Sequence, residues 1–324
     1  MELNCQSKYI AMRDGVRLAV STWLGNDKES GNRKSSGKRP AVVITTRYWR
    51  AMAFTQDSPE FQTFYPLAAY LWARGYVLAV IDVRGTGASF GSREFELSPA
   101  EVADMGETIN WIARQDWCDG RVATTGRSYT ANTTLHSLAT GSPALKLGVC
   151  RAPDFDVYRH LLAPGGVINR WFVDVWGALT AAQDANNARA LLAGGYCKVP
   201  NEGAEHMLGV RPVDEDIDGT LLASAVAEHK ANFNLAGVVD KLTFVDSAFN
   251  KIVSPKNKDD NATAEIAPCF HSNPYFYRDK IEQGNLPMVI RCGWHDATTA
   301  LGALSMFASF SNPMRIILGP WNHH

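Results

Sequence analysis

Val122-Ala123-Thr124-Thr125-Gly126-Arg127-Ser128-Tyr129 decides the fold of this chain. Residues 122–125 form a short run of the length and composition of a buried strand. Ser128 follows it at the point where a helical pattern begins. A serine between a strand and a helix lies on a sharp turn that lifts its hydroxyl out of the sheet. Gly126 leaves room for such a turn, and the Tyr129 N–H points where an oxyanion would form. The general pattern has a second glycine two residues after the serine, where Thr130 stands. On these residues alone, a serine capping an ordinary helix is the plainer reading.

The surrounding chain changes that weighting. Strand-length apolar runs recur at 41–45, 77–81 and 147–150, and helical patterns separate them. One helix is expected over 61–74 with Gly75 as its stop. A second starts at Ser98-Pro99-Ala100-Glu101, where Ser98 caps, Pro99 fits the first helical position and Glu101 completes a capping box. Residues 9–24 read as a hairpin turning at Asp14-Gly15, and 27–40 as a polar surface loop. Alternation of strand and helix predicts a doubly wound, mostly parallel α/β sheet. The rhythm stops near Pro153, and two strand-like runs return at 288–292 and 315–318, the second with apolar residues that read as buried on both faces. The expected organisation is a first α/β part over 1–152, a helical cap insertion over 153–285, and a second α/β part over 286–324.

That second part carries an acid and a base. Asp296 follows the run 288–292 in Gly293-Trp294-His295-Asp296, and His323 follows 315–318 in Gly319-Pro320-Trp321-Asn322-His323. Both fall just past the C-terminal end of a strand, the edge where sites form in open α/β sheets. The chain order Ser, Asp, His is that of the α/β-hydrolase fold. The residue types suit acyl transfer, because serine is a weak nucleophile until a base takes its proton, and an acid must fix the tautomer of that base.

These segments, together with Met12-Arg13-Asp14-Gly15-Val16-Arg17-Leu18, Asp82-Val83-Arg84-Gly85 and Trp117-Cys118-Asp119-Gly120, give the chain its family likeness. It resembles the cocaine esterase and X-Pro dipeptidyl-peptidase family of serine hydrolases. The resemblance implies catalytic Ser128, Asp296 and His323, and an oxyanion hole of the Tyr48 hydroxyl and the Tyr129 amide. It implies no cofactor and no metal. A carboxylesterase is the first expectation. An X-Pro dipeptidyl-peptidase and a β-lactam acylase or amino-ester hydrolase are the alternatives, and from another class an inactive truncated fragment. Family members usually continue past the histidine into a β-rich jelly roll. The chain as given stops one residue after His323, so a fragment is expected, or one half of a split protein whose partner chain supplies the missing domain. His323 on a chain end is expected to be poorly held.

Composition sets the outer bounds. The chain has 324 residues, 46% of them hydrophobic, and a formal net charge of −1, which favours neither nucleic acid nor an anionic membrane. No signal peptide is read at the N-terminus, and no run approaches the roughly 20 apolar residues of a membrane span. The cysteines at 5, 118, 150, 197, 269 and 292 lack CxxC spacing, and a cytoplasmic location is expected. The expected partners are small esters, amides or short peptides. Gly85, Gly87 and Gly91 miss the dinucleotide spacing and read as a loop braced by Arg84 with Asp82. His295 and His324 read as bystanders. The run Asp214-Glu215-Asp216 with Asp218 reads as solvated surface, or as a pocket for a substrate ammonium. Trp171 and Phe172, with Trp176 nearby, read as helix packing or as the binding surface for an apolar acyl group.

Overall fold

Gly15, at φ 81°, supplies the left-handed turn residue that folds β1 (Leu3–Ala11) back onto β2 (Arg17–Gly25). The computed structural model describes residues 3–25, 37–55, 62–194, 206–234, 236, 237, 239, 244 and 271–323. Residues 27–36 of the expected polar loop, much of the insertion, Cys197, Cys269 and His324 lie outside the described residues.

The hairpin begins an eight-stranded sheet. Its further strands are β3 (Arg39–Thr46), β5 (Val77–Asp82), β6 (Cys118–Arg127), β7 (Leu145–Arg151), β9 (Met288–Gly293) and β10 (Met314–Gly319). The order is β1-β2-β5-β3-β6-β7-β9-β10. The pairings β1–β2 and β2–β5 are antiparallel and all the others are parallel. This is the doubly wound, mostly parallel sheet that the alternation of apolar runs implies.

Central strands are apolar on both faces because helices cover both. On one face Ile44, Leu78 and Val80 pack with Ala68 and Trp72 of α1 (Tyr65–Trp72). On the other, Val43, Ala79, Ile81 and Val122 pack with α2 (Pro99–Ala113) and α3 (Tyr129–Ser137). Neighbouring strand residues thus alternate between two clusters, as the pleat requires. The start of α2 forms as expected: Ser98 accepts the Glu101 N–H at 3.4 Å, with Pro99 at the first helical position. The Glu101 carboxylate turns back to the Leu97 N–H at 3.0 Å.

The segment between β7 and β9 carries α4 (Arg170–Asp184), α5 (Ala188–Ala193), β8 (Met207–Val210), α6 (Thr220–Glu228) and α7 (Arg278–Gly284). β8 pairs antiparallel with β4 (Met52–Phe54) from the first α/β part. Strands this short carry too few residues for a readable alternation. A final helix, α8 (Thr299–Ser309), connects β9 to β10. Among the described residues no helix is long and apolar enough to cross a membrane. Cys5, Cys118, Cys150 and Cys292 are free thiols.

Three expectations need correction. The strand at 315–318 is not buried on both faces. Ile316 and Leu318 pack against the core, while Ile317 is 38% exposed on the edge strand β10. The helix expected over 61–74 is shorter, as α1. The glycine loop is braced by Asp82 without the Arg84 side chain. Arg84 pairs with Asp104 (2.6 Å) and Asp14 (2.9 Å), while Asp82 accepts the N–H groups of Arg50 (2.6 Å) and Ala88 (3.0 Å). Successive strand residues point to opposite faces, which two residues apart do not; here the strand ends at Asp82 and the chain turns, so Arg84 finds α2 instead.

Candidate active site

Ser128 stands between β6 and α3 at φ 59° and ψ −129°, a backbone region that side-chain-bearing residues rarely occupy. Such a conformation costs about 1–3 kcal/mol and persists only where neighbours over-determine it. Here the Ser128 N–H bonds the Arg151 carbonyl of β7 at 3.0 Å, and its carbonyl accepts the N–H groups of Ala131 (2.8 Å) and Asn132 (3.0 Å). Thr130 does more than replace the absent glycine. Its hydroxyl accepts the Arg127 N–H at 2.7 Å and donates to the Arg127 carbonyl at 2.8 Å, closing the turn from inside. Gly126 is required for the same reason, since a methyl there would overlap the Thr130 carbonyl. Gly126→Ala is therefore expected to leave little soluble protein, measured side by side with the parent chain.

Asp296 sits past β9 and is buried; its carbonyl accepts the Thr299 N–H (3.1 Å) and hydroxyl (2.9 Å) at the start of α8. His323 Nδ1 lies 2.8 Å and 3.0 Å from its two carboxylate oxygens. The expectation that His323 is loosely held meets a firmer arrangement. The Trp294 N–H bonds the Gly319 carbonyl at 2.9 Å and the His295 N–H bonds the Trp321 carbonyl at 3.0 Å. Pairing of β9 with β10 thus continues beyond both strands. The Trp321 indole stacks under the Arg291 guanidinium at 3.9 Å and packs against Gly319, where no side chain would fit. The two motifs Gly293–Asp296 and Gly319–His323 are one interlocked unit.

Tyr48 follows β3 on a loop anchored at every step. Its N–H bonds the Thr46 hydroxyl at 2.9 Å, and the buried Trp49, at φ 65°, donates its indole N–H to the Gln183 carbonyl at 3.2 Å. Burial pushes the Tyr48 hydroxyl up from its ordinary pKa, while hydrogen bonds with the side chains of Trp176 and Ser128 pull it down. The rings of Tyr48 and Tyr129 meet edge to face at 5.9 Å. Tyr129 opens α3, and the N–H groups of a helix's first turn have no partner within the helix.

The Tyr129 hydroxyl donates to the Glu101 carboxylate. Burial first, and then the charge of Glu96, push Glu101 up to about 7. The sequence marks Glu101 only as a capping residue, since nothing local shows that the start of helix α2 meets the start of α3. The pH consequence has a definite sign. An acid whose folded pKa is raised contributes stability below its unfolded value of 4.5, and that stability is lost as pH rises through 7. The change is about 3 kcal/mol. Glu101→Gln is expected to flatten the fall in unfolding free energy between pH 5 and pH 8, read by urea titration at each pH.

The insertion residues divide. Trp171 is 73% exposed. Phe172 stacks on Trp176 at 6.0 Å and 18°, and the Arg47 guanidinium lies 5.0 Å from the Trp176 ring. Arg47, fully buried, is held by Glu96 at 2.8 Å and by Asp184, the last residue of α4, at 3.0 Å. That network ties the insertion to the Tyr48 loop. It joins residues far apart in sequence and has no local signature. Three acids of the run are hydrogen-bonded to protein groups. Asp214 bonds Ser7, Asp216 is buried and accepts the Leu221 and Leu222 N–H groups, and Asp218 accepts from Thr220. Among the described residues no three His, Cys, Asp or Glu side chains converge as a metal ion would need.

Residues 14–324 match the family model of X-Pro dipeptidyl-peptidase (S15 family). A Mycobacterium bovis relative, named "putative serine esterase", is 32% identical over 334 residues, covering 98% of this chain and 51% of the relative. The cocaine esterase of Rhodococcus sp. is 25% identical over 320 residues, covering 97% of this chain and 48% of the enzyme. The crystal structure of a CocE/NonD family hydrolase from Staphylococcus aureus superposes with a TM-score of 0.60 at 17% identity, over 98% of this chain and 46% of that one. The chain therefore spans about half the length of these relatives. The match over residues 14–324 makes this chain a member of the X-Pro dipeptidyl-peptidase (S15) family of serine hydrolases, and its eight-stranded, mostly parallel sheet is that of the α/β-hydrolase fold.

Proposed function

We propose that this chain carries the catalytic centre of a carboxylesterase that works through an acyl-enzyme. The observation that carries the reading is the bond of His323 Nδ1 to both Asp296 oxygens, at the sheet edge that bears the strained Ser128. With the Nδ1 proton committed to Asp296, Nε2 is the basic nitrogen. Ser128 Oγ attacks the ester carbonyl as His323 takes its proton, and Asp296 balances the imidazolium. The Tyr48 hydroxyl and the Tyr129 N–H hold the oxyanion. His323 passes its proton to the leaving alkoxide, and an alcohol departs from an acylated Ser128. Water, deprotonated by His323, attacks the acyl carbon, and the acid leaves as Ser128 recovers its proton. No cofactor enters the sequence.

The insertion over 153–285 serves in this reading as the cap over the acyl group, with Phe172 on the Trp176 face as its apolar surface and Trp171 at its outer rim. A dipeptidyl-peptidase must bind a substrate ammonium, and the acids at 214, 216 and 218 are already occupied by protein partners, which favours the esterase. The free thiols support a cytoplasmic setting, and the exposed Ile317 supports a further β domain or partner chain beside β10.

A fluorophosphonate probe followed by peptide mapping tests the nucleophile, and turnover of p-nitrophenyl butyrate against Gly-Pro-p-nitroanilide tests the substrate class. The label is expected on Ser128 and the turnover on the ester. Tyr48→Phe keeps the ring and removes one donor, so kcat is expected to fall by about 10² to 10³ with KM little changed. A raised KM at unchanged kcat would make Tyr48 a packing residue instead.

A further inference from the structure

Two carboxylates, not one, stand at the His323 end of the sheet. Asp296 lies three residues past the end of β9, and Asp154 lies three residues past the end of β7, its parallel neighbour. The chain leaving β7 is steered toward β9. Ala152 takes φ 52°, and its N–H bonds the Arg291 carbonyl of β9 at 2.8 Å. Asn132, buried one turn into α3 from Ser128, then fixes Asp154 twice. Its Oδ1 accepts the Asp154 N–H at 2.7 Å, and its Nδ2 donates to Asp154 Oδ2 at 3.0 Å. No described residue hydrogen-bonds the other carboxylate oxygen, Oδ1.

We propose that Asp154 is a positioning residue that shares with Asp296 the stabilisation of the His323 imidazolium. This rests on the reading of His323 as the base. The charged and titratable groups around this pair of carboxylates are His323, His160, Arg151, Arg127, Arg291 and the Cys292 thiol. Asp154 interacts with His323 and His160, which favour its ionised form, and with Asp296, which opposes it; Arg151, at the end of β7, faces Asp296. Burial, the largest effect, raises the Asp154 carboxyl above its ordinary value, and the Asn132 amide offsets part of the rise. Two like charges at one imidazole make each more tolerable when the ring is positive. As the ring gains its proton during acyl transfer, Asp154 therefore becomes more favourable, while Asp296 alone fixes the tautomer through Nδ1.

Asp154→Asn keeps the shape and can keep both Asn132 bonds, so folding is not the variable. Histidine labelled at its ring carbon lets NMR follow the His323 titration without any turnover. The expected result is a ring titration displaced to lower pH in Asp154→Asn than in the parent chain. The acidic limb of kcat/KM should move down with it, and Asp154→Asn in an Asp296→Asn background should cost about another tenfold in kcat. An unchanged His323 titration and an unchanged acidic limb would overturn the proposal and leave Asp154 as a structural partner of Asn132. If the parent chain turns over no ester while the NMR shift appears, the esterase reading falls and the electrostatic coupling stands.

Discussion

Ser128→Ala is expected to lower kcat for ester hydrolysis by about 10⁴ to 10⁶ and to abolish fluorophosphonate labelling. The size follows from the mechanism. With no Oγ there is no acyl-enzyme, and the remaining site can only hold a water near the carbonyl and stabilise the oxyanion through Tyr48 and Tyr129. Oxyanion stabilisation and binding alone still leave roughly 10³ to 10⁴ over the uncatalysed reaction. Stability should move the other way or not at all. The strained φ of 59° at Ser128 is imposed by its bonds to Arg151, Ala131 and Asn132, which are main-chain bonds that alanine retains. A cooperative melt at the parent temperature, together with the loss in kcat, is the signature of a nucleophile. A variant that keeps more than a few per cent of activity would place the nucleophile elsewhere.

His323→Ala is expected to cost as much as Ser128→Ala, and the double variant no more than either single. In the proposed mechanism the two residues act as one unit, because the hydroxyl is inert without the base and the base has nothing to activate without the hydroxyl. Losses that summed in logarithm across the pair would mean independent roles and would falsify the shared proton transfer. The variant should also loosen the sheet edge only slightly, since Trp294–Gly319 and His295–Trp321 are main-chain bonds that do not involve the imidazole. Single and double variants are compared by steady-state rates with p-nitrophenyl butyrate at pH 8, where a free imidazole is mostly neutral.

Much of this architecture is legible in the chain because the signals are local. Residues 77–81 read as a strand since a parallel strand buried on both faces needs a continuous apolar run, and 122–125 and 288–292 read as strands from their length and their β-branched and apolar residues. Gly126 before Ser128, and Ser98-Pro99 before α2, read correctly since turns and caps depend on neighbours within four residues. The order of Ser128, Asp296 and His323 and the strands before them are likewise sequence properties.

What pairs across the fold was not legible. Arg84 chooses Asp104 and Asp14 over Asp82, and Asp82 anchors the loop of Tyr48 through Arg50, because partners are set by which elements pack together. The short pairing of β4 with β8, and the clamp of Arg47 on Asp184 beneath Trp176, join segments more than a hundred residues apart. The exposure of Ile317 depends on β10 being at the sheet edge, which the three consecutive apolar residues at 316–318 do not encode. Asp154 is the sharpest case. In sequence it is one aspartate among many in an irregular stretch, and only the left-handed turn at Ala152 and the amide of Asn132 bring it to the sheet edge where it interacts with His323 and Asp296. The sequence by itself determined the kind of sheet and the chemical types at its edge, since both rest on short-range pattern. Tertiary structure alone decided which charges face one another, since that depends on distances between elements that no local pattern sets.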